Sequence, residues 1–144
     1  MNVMSREESR AFLLASPRTA KVATVRPDGR PHIAPVWFDL DGDDLIFTTW
    51  HTTVKARDLR RDPRISLCVD DERPPFSFVL IEGTATVSDN LDEVRAWATR
   101  IAARYMGGMR AKAYGARNGV PGELLVRVTP VRVVAQSGIT DENG

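Results

Sequence analysis

Two short turn signals divide the first third of the chain into β segments. Pro27-Asp28-Gly29 presets φ at the proline and accepts positive φ at the glycine, and Asp41-Gly42-Asp43 supplies a second reversal. Around them, Thr19 to Arg26, Pro31 to Leu40 and Asp44 to Thr49 are rich in β-branched and aromatic residues. This pattern commits the chain to a meander of antiparallel hairpins. Three further strands are predicted: Arg64 to Asp70, Phe76 to Ser88 with a possible bulge at Gly83, and Glu123 to Gly138. The last is kinked or edged at Pro130, which cannot donate to a ladder. Six strands in this order, with a few helices, define a mainly β class: an antiparallel barrel with helical additions.

The helices carry their own signatures. Ser5 and Glu8 have capping-box spacing, so a short helix is expected over 5–15, ending before Pro17. A threonine able to cap precedes helix formers in Thr52 to Arg61, and Asp62-Pro63 stops them. Leu91, Val94, Trp97, Ala98, Ile101, Ala102 and Tyr105 follow the i, i+3, i+4, i+7 spacing, which predicts an amphipathic helix over 91–105 with Asn90 and Glu93 at its start. Gly107-Gly108 ends it, and Met109 to Tyr114 has room for one or two more turns. A chain of 144 residues is one ordinary domain, 1–144, with no internal repeat.

The apolar pattern of the second strand bears on partners. Ile33, Pro35 and Trp37 form one apolar set, and Ala34, Val36, Phe38 and Leu40 the other. One face can fill the barrel; the other must be covered by a helix, a second subunit or a ligand. A proline inside this strand also makes it an edge, whose free N–H and C=O groups could bind the polar rim of a flat heterocycle.

Charge narrows the function classes. Lys and Arg together number 20 against 19 Asp and Glu, too even a balance for a general polyanion or membrane-surface binder. Of the cations, 17 are Arg and three are Lys, which fits either GC-rich codon usage or guanidinium groups that read anions. The cations are clustered. Thr52 to Arg64 holds five against two acids, and Arg95 to Arg117 holds six against none. Together with the strand end before it, the segment Phe47 to Arg61 brings threonine hydroxyls, Lys55 and several Arg to a helix N-terminus, the way a phosphate ester would be held. It reads equally as a solvated surface helix with pairs such as Arg57–Asp58–Arg61. The second cluster reads as a solvated basic face, or as a groove for an anionic tail or an acidic patch of a partner.

Other chemistry finds little support. Cys68 is single and lies in an apolar run, which reads as a core thiol in a reducing cytoplasm. Neither a signal peptide nor a membrane-spanning run is read. His32 and His51 read as structural, and no metal-ligand, Ser/His/Asp or P-loop pattern occurs. Catalytic residues are not assigned.

The order of pieces resembles a known family. Ala23-Thr24-Val25-Arg26-Pro27-Asp28-Gly29-Arg30-Pro31-His32, Val36-Trp37-Phe38, Ile46-Phe47-Thr48-Thr49, Thr53 through Arg64 and Ile81-Glu82-Gly83-Thr84-Ala85 together resemble the pyridoxamine-phosphate-oxidase-like split-barrel superfamily. More narrowly, they resemble its flavin/deazaflavin oxidoreductases that use coenzyme F-420. The resemblance runs from about Ser5 to Ala135. It implies a six-stranded Greek-key split barrel and a cytoplasmic homodimer with cofactor sites at the interface and a small-molecule substrate. Neither nucleic acid nor membrane is an implied partner. By the same resemblance, Ala34, Pro35, Val36, Trp37 and Phe38 would run along the cofactor ring, with Thr48 and Thr49 near the ring or ribityl chain. Thr53 and Lys55 would hold the phosphate, Arg57 and Arg60 would lie close by, and Phe76 and Phe78 would reach a site in the dimer. The implied activity is hydride transfer from reduced F-420 to an electron-poor acceptor; the alternatives are an FMN oxidoreductase and a non-catalytic cofactor-binding module. Three positions depart from the FMN oxidases: Val54 replaces an Arg, and Ala34 and Asp39 replace an Arg and a Lys. The C-terminal Arg-rich substrate motif of those oxidases is also absent. A longer anionic tail could instead spread over the Arg95–Arg117 groove.

Overall fold

The computed structural model describes residues 2–141; the end of the C-terminal stretch compared with the Arg-rich motif, residues 142–144, lies outside them. The elements run β1 (Asn2–Val3), α1 (Arg6–Ala15), β2 (Ala20–Val25), β3 (Pro31–Val36), β4 (Asp39–Asp41), β5 (Asp44–Trp50), α2 (Val54–Arg61), β6 (Arg64–Asp71), β7 (Ser77–Ser88), α3 (Leu91–Met106), α4 (Gly108–Asn118) and β8 (Glu123–Ser137). All six expected strands are present, and the class is mainly β with helical additions. The count rises to eight because the second strand divides into β3 and β4 and because β1 adds to β8.

All neighbouring pairs are antiparallel, and the sheet order is β3-β2-β6-β7-β8-β5-β4. Val22, Leu40, Leu45, Phe47, Leu67, Val69, Val79, Ile81, Val126 and Val128 meet in one core with Leu13 of α1 and Leu59 of α2. Strands that all feed one core must curl around it. The two edges of the sheet, β3 and β4, are consecutive in the chain and separated only by Trp37 and Phe38. The ring is therefore joined at that seam by covalent chain rather than by a ladder.

The break in the second strand has a physical cause. Phe38 is fully buried in the core while Trp37 stays partly exposed at 37%, so the backbone turns between them. The groups released from the ladder find partners on α3: the Phe38 amide donates to the Tyr105 hydroxyl at 3.2 Å, and the Phe38 carbonyl accepts from Arg104. Arg104 also donates to the carbonyls of Leu13 and Ser16, and the Tyr105 hydroxyl donates to the Arg18 carbonyl at 2.6 Å. Burial pushes the Tyr105 phenol up from its ordinary value.

Local signals formed as expected where they depend on neighbours in sequence. The Ser5–Glu8 capping box is complete, and Asn90 accepts from the Glu93 amide. Gly29 and Gly42 take positive φ in their turns, and the register shifts between Glu82 and Gly83. Pro130 lies opposite Gly83 and just past the last residue of β8 that pairs with β5, where no donor is required of it.

The stretch after Gly107 departs from expectation. It forms α4, an eleven-residue helix, rather than a turn or two. Its stability comes from packing on α3. A Cβ placed on Gly115 would stand 1.9 Å from the Thr99 hydroxyl oxygen and 3.0 Å from the Thr99 Cα. Arg95 ties the helix end by donating to the Gly119 carbonyl. Gly115→Ala should therefore push α4 off α3 and cost about 1–3 kcal/mol. Denaturant unfolding would measure this, and an unchanged midpoint would show that the two helices part freely.

Candidate cofactor cleft

The seam of the barrel lines a cleft of about 300 Å³. Pro35, Val36 and Trp37 come from the seam, Thr48, Thr49 and Trp50 from β5, and Thr53 and Lys55 from the start of α2. Ala98 and Ile101 of α3 and Asn118 of α4 complete it. Seven sequence-predicted site residues thus meet in one place.

The polar end is built on a helix start. Thr53 is the N-cap of α2: its Oγ1 accepts from the Ala56 amide at 3.3 Å and donates to the Trp50 carbonyl at 2.9 Å. Thr49 Oγ1 lies 2.8 Å from Thr53 Oγ1, which orients both hydroxyls. The amides of Val54 and Lys55 have no carbonyl one turn back within the helix, so they remain donors beside the dipole's positive end.

Lys55 is half-buried, and removal from water pulls its ammonium below the ordinary lysine value while Glu123 pulls it back. Among the described residues, no carboxylate lies within ion-pair distance of Lys55. Burial also raises the Glu123 carboxyl, with the Thr48 hydroxyl and Lys55 opposing that shift. Sequence reasoning missed Glu123. In register it pairs with Trp50, so it projects from the same face of β5·β8 as Thr48.

The apolar end is held by aromatic packing. The Trp37 indole stacks on the Tyr105 ring at 4.9 Å and 5°, with Tyr114 tilted at 6.4 Å. Trp50 lies against Gly122, where φ is +102° and a Cβ would meet the indole at 2.5 Å, and its other neighbour is His51 at 4.7 Å. No carboxyl, imidazole or thiol lines the cleft.

The remaining predicted residues lie elsewhere. Ala34 is half-buried on β3, beside the cleft but outside its lining. Phe38 is in the core under the Arg104 guanidinium. Arg57 is exposed on α2, and Arg60 lines a separate hollow with Val87 and Asp89. Phe76, at a positive φ of 62°, and Phe78 are half-buried near the start of β7, away from this lining. The Arg95–Arg117 cluster is also less open than its sequence suggests, since Arg95 and Arg104 are bound to backbone carbonyls. Arg100 covers the Trp97 ring, and Arg110, Lys112 and Arg117 remain exposed. Asp58 is not a surface partner of Arg57; it is buried against Thr24 and Arg61.

A larger cleft of about 660 Å³ lies under α1, lined mainly by aliphatic residues including Leu13, Val79 and Ile81. Its cations are already engaged, Arg6 with Asp43 and Arg10 with the Gly42 carbonyl. Size favours this cleft, but free donors for an anion favour the smaller one.

Family comparison agrees with the fold. A match to the pyridoxamine 5'-phosphate oxidase family spans residues 5–137, and the chain belongs to that family. The conserved hypothetical protein Rv2991 from Mycobacterium tuberculosis is similar at 27% identity and a TM-score of 0.85, over 94% of this chain and 86% of that one. A structure named F-420 reductase is 26% identical, with a TM-score of 0.70 over 85% of this chain and 94% of that one. An FAD-binding protein from Mesorhizobium loti, at 19% identity and a TM-score of 0.70 over 93% and 95% of the two chains, shares the fold. Among the described residues, no helix is long and apolar enough to cross a membrane, and no cluster of three or more His, Cys, Asp or Glu could hold a metal ion.

Proposed function

We propose that the protein is a cytoplasmic oxidoreductase that binds coenzyme F-420 in the seam cleft and reduces an electron-poor small organic acceptor. The observation that carries this reading is the donor set. Two helix-start amides and a half-buried ammonium stand beside three threonine hydroxyls and an apolar wall, with Thr49 and Thr53 bonded to each other and Thr53 to the Trp50 carbonyl. That arrangement suits a flat ring joined to an anionic tail. The similarity to an F-420 reductase supports the choice of cofactor. So do the exposed Lys112 and Arg117 on α4, whose last residue, Asn118, lines the cleft.

When bound, F-420 supplies hydride at its deazaflavin ring. Lys55 and the amides at the start of α2 would hold the anionic portion, Thr49 and Thr53 would fix that helix start, and Thr48 would offer a further hydroxyl. Val36, Ala98 and Ile101 exclude water from the apolar portion, and Trp37 is fixed in plane by Tyr105. Positioning and dryness would be the chain's contribution, and the proton would reach product from solvent or from a nearby polar group of the cleft. Arg57 and Arg60 would act only through the general field of α2.

The reading includes a homodimer with cofactor sites at the interface. Ile33, 67% exposed on edge strand β3, and Trp37 leave an apolar seam uncovered in one protomer. A partner would cover it, and Phe76 and Phe78 would serve the partner's site. FMN is the second reading, since one phosphate needs only the Lys55 cradle; Val54, Ala34 and Asp39 lower the local cation count against it.

Fluorescence titration with oxidised and reduced F-420, alongside FMN, tests the proposal. Micromolar or tighter F-420 binding, and consumption of reduced F-420 with an enone or quinone panel, is the expected result. Absence of F-420 binding at micromolar concentration overturns it. Tight binding without turnover indicates the non-catalytic module instead.

A further inference from the structure

Glu123 lies outside the lining of the cleft, on the face of the sheet that carries Thr48. It opens β8 directly after Gly122, pairs in register with Trp50, and lies diagonally across the ladder from Thr48. Its carboxyl is half-buried, as is the Lys55 ammonium that it attracts. A half-buried ammonium among hydroxyls is a costly arrangement without a counter-charge. Here Glu123 supplies the nearby negative charge from beyond ion-pair distance.

We propose that Glu123 is the resident counter-anion of Lys55, and that a phosphoryl group entering the cleft competes with it for that ammonium. This rests on the proposed function only in taking the entering anion to be the cofactor's phosphoryl group. An ionised Glu123 repels the incoming oxyanion, whereas a protonated one does not, so binding takes up a proton. The sign follows. Affinity is highest at low pH, falls as pH rises through the Glu123 titration, and levels off above it. Burial moves that titration upward from the ordinary glutamate range. The groups acting on Glu123 are Thr48 on β5 and Lys55 on α2, and His51, in the loop between them, lies against the neighbouring Gly122. His51 Nδ1 lies 3.1 Å from the Gly122 carbonyl.

Glu123→Gln keeps the shape and removes the charge. It should bind F-420 about five- to tenfold more tightly at neutral pH, corresponding to about 1–1.4 kcal/mol. It should also lose the low-pH slope and the proton uptake, read by calorimetry in two buffers of different ionisation enthalpy. An unchanged thermal midpoint would show that the variant is folded. Equal or weaker binding by Glu123→Gln, with the slope retained, overturns the inference and leaves the F-420 reading intact. If the wild type binds neither F-420 nor FMN, the proposed function fails, and inorganic phosphate becomes the probe. Tighter phosphate binding by Glu123→Gln than by wild type would still support the competition, and no difference would overturn it.

Discussion

Lys55→Ala is expected to weaken F-420 binding by about ten- to a hundredfold, the consequence of losing a charge-assisted contact worth roughly 1.5–3 kcal/mol. The ammonium is half-buried among Thr48, Thr49 and Thr53, so water does not replace it fully and the loss should exceed that at a solvated site. Arg60→Ala supplies the contrast. It lines a separate hollow, and its removal should change affinity by less than about twofold. Fluorescence titration at two salt concentrations measures both. Equal effects of the two substitutions would mean that α2 acts as a diffuse positive surface rather than a built cradle.

Asp58→Ala is expected to destabilise the fold by about 2–4 kcal/mol. Its carboxylate is only 2% exposed, accepts from the Thr24 hydroxyl at 2.7 Å, and accepts from Arg61 at 3.2 Å. Arg61 continues to the Val25 carbonyl, so this network ties α2 to β2. Truncation strands a buried hydroxyl and half the partners of a guanidinium. For a domain of this size the melting temperature should fall by roughly 5–15 °C. Because α2 carries Thr53 and Lys55, binding should weaken as well, although Asp58 touches no part of the cleft. A loss below about 0.5 kcal/mol in denaturant unfolding would show that the network is not what anchors the helix.

The sequence was most informative where structure depends on near neighbours. Ser5 and Glu8 cap within one turn, the turns at Gly29 and Gly42 need only their own backbone, and Thr53 with Lys55 is a local pair. Arg57 and Arg60 show where proximity in sequence misleads. At 3.6 residues per turn they point about 200° and 140° around α2 from Lys55, so neither shares its face. The seam was hidden for another reason. A largely apolar segment from Pro31 to Leu40, interrupted only by His32 and Asp39, reads as one strand, and Tyr105 and Arg104, over sixty residues away, supply the bonds that let it break. Helix α4 was underestimated because its glycines argue against a helix, whereas Gly115 is what permits close approach to α3. Glu123, Ala98, Ile101 and Asn118 reach the cleft region through sheet register and helix packing, which no local pattern encodes.

The central claim is that the cofactor binds at the barrel seam rather than in the larger aliphatic cleft under α1. Chemical-shift mapping of methyl and amide groups during F-420 titration tests it most directly. The account predicts saturable shifts at Thr48, Thr49, Thr53, Lys55 and Ile101, with Leu13, Val79 and Ile81 unmoved. Saturable shifts confined to Leu13, Val79 and Ile81 would contradict it.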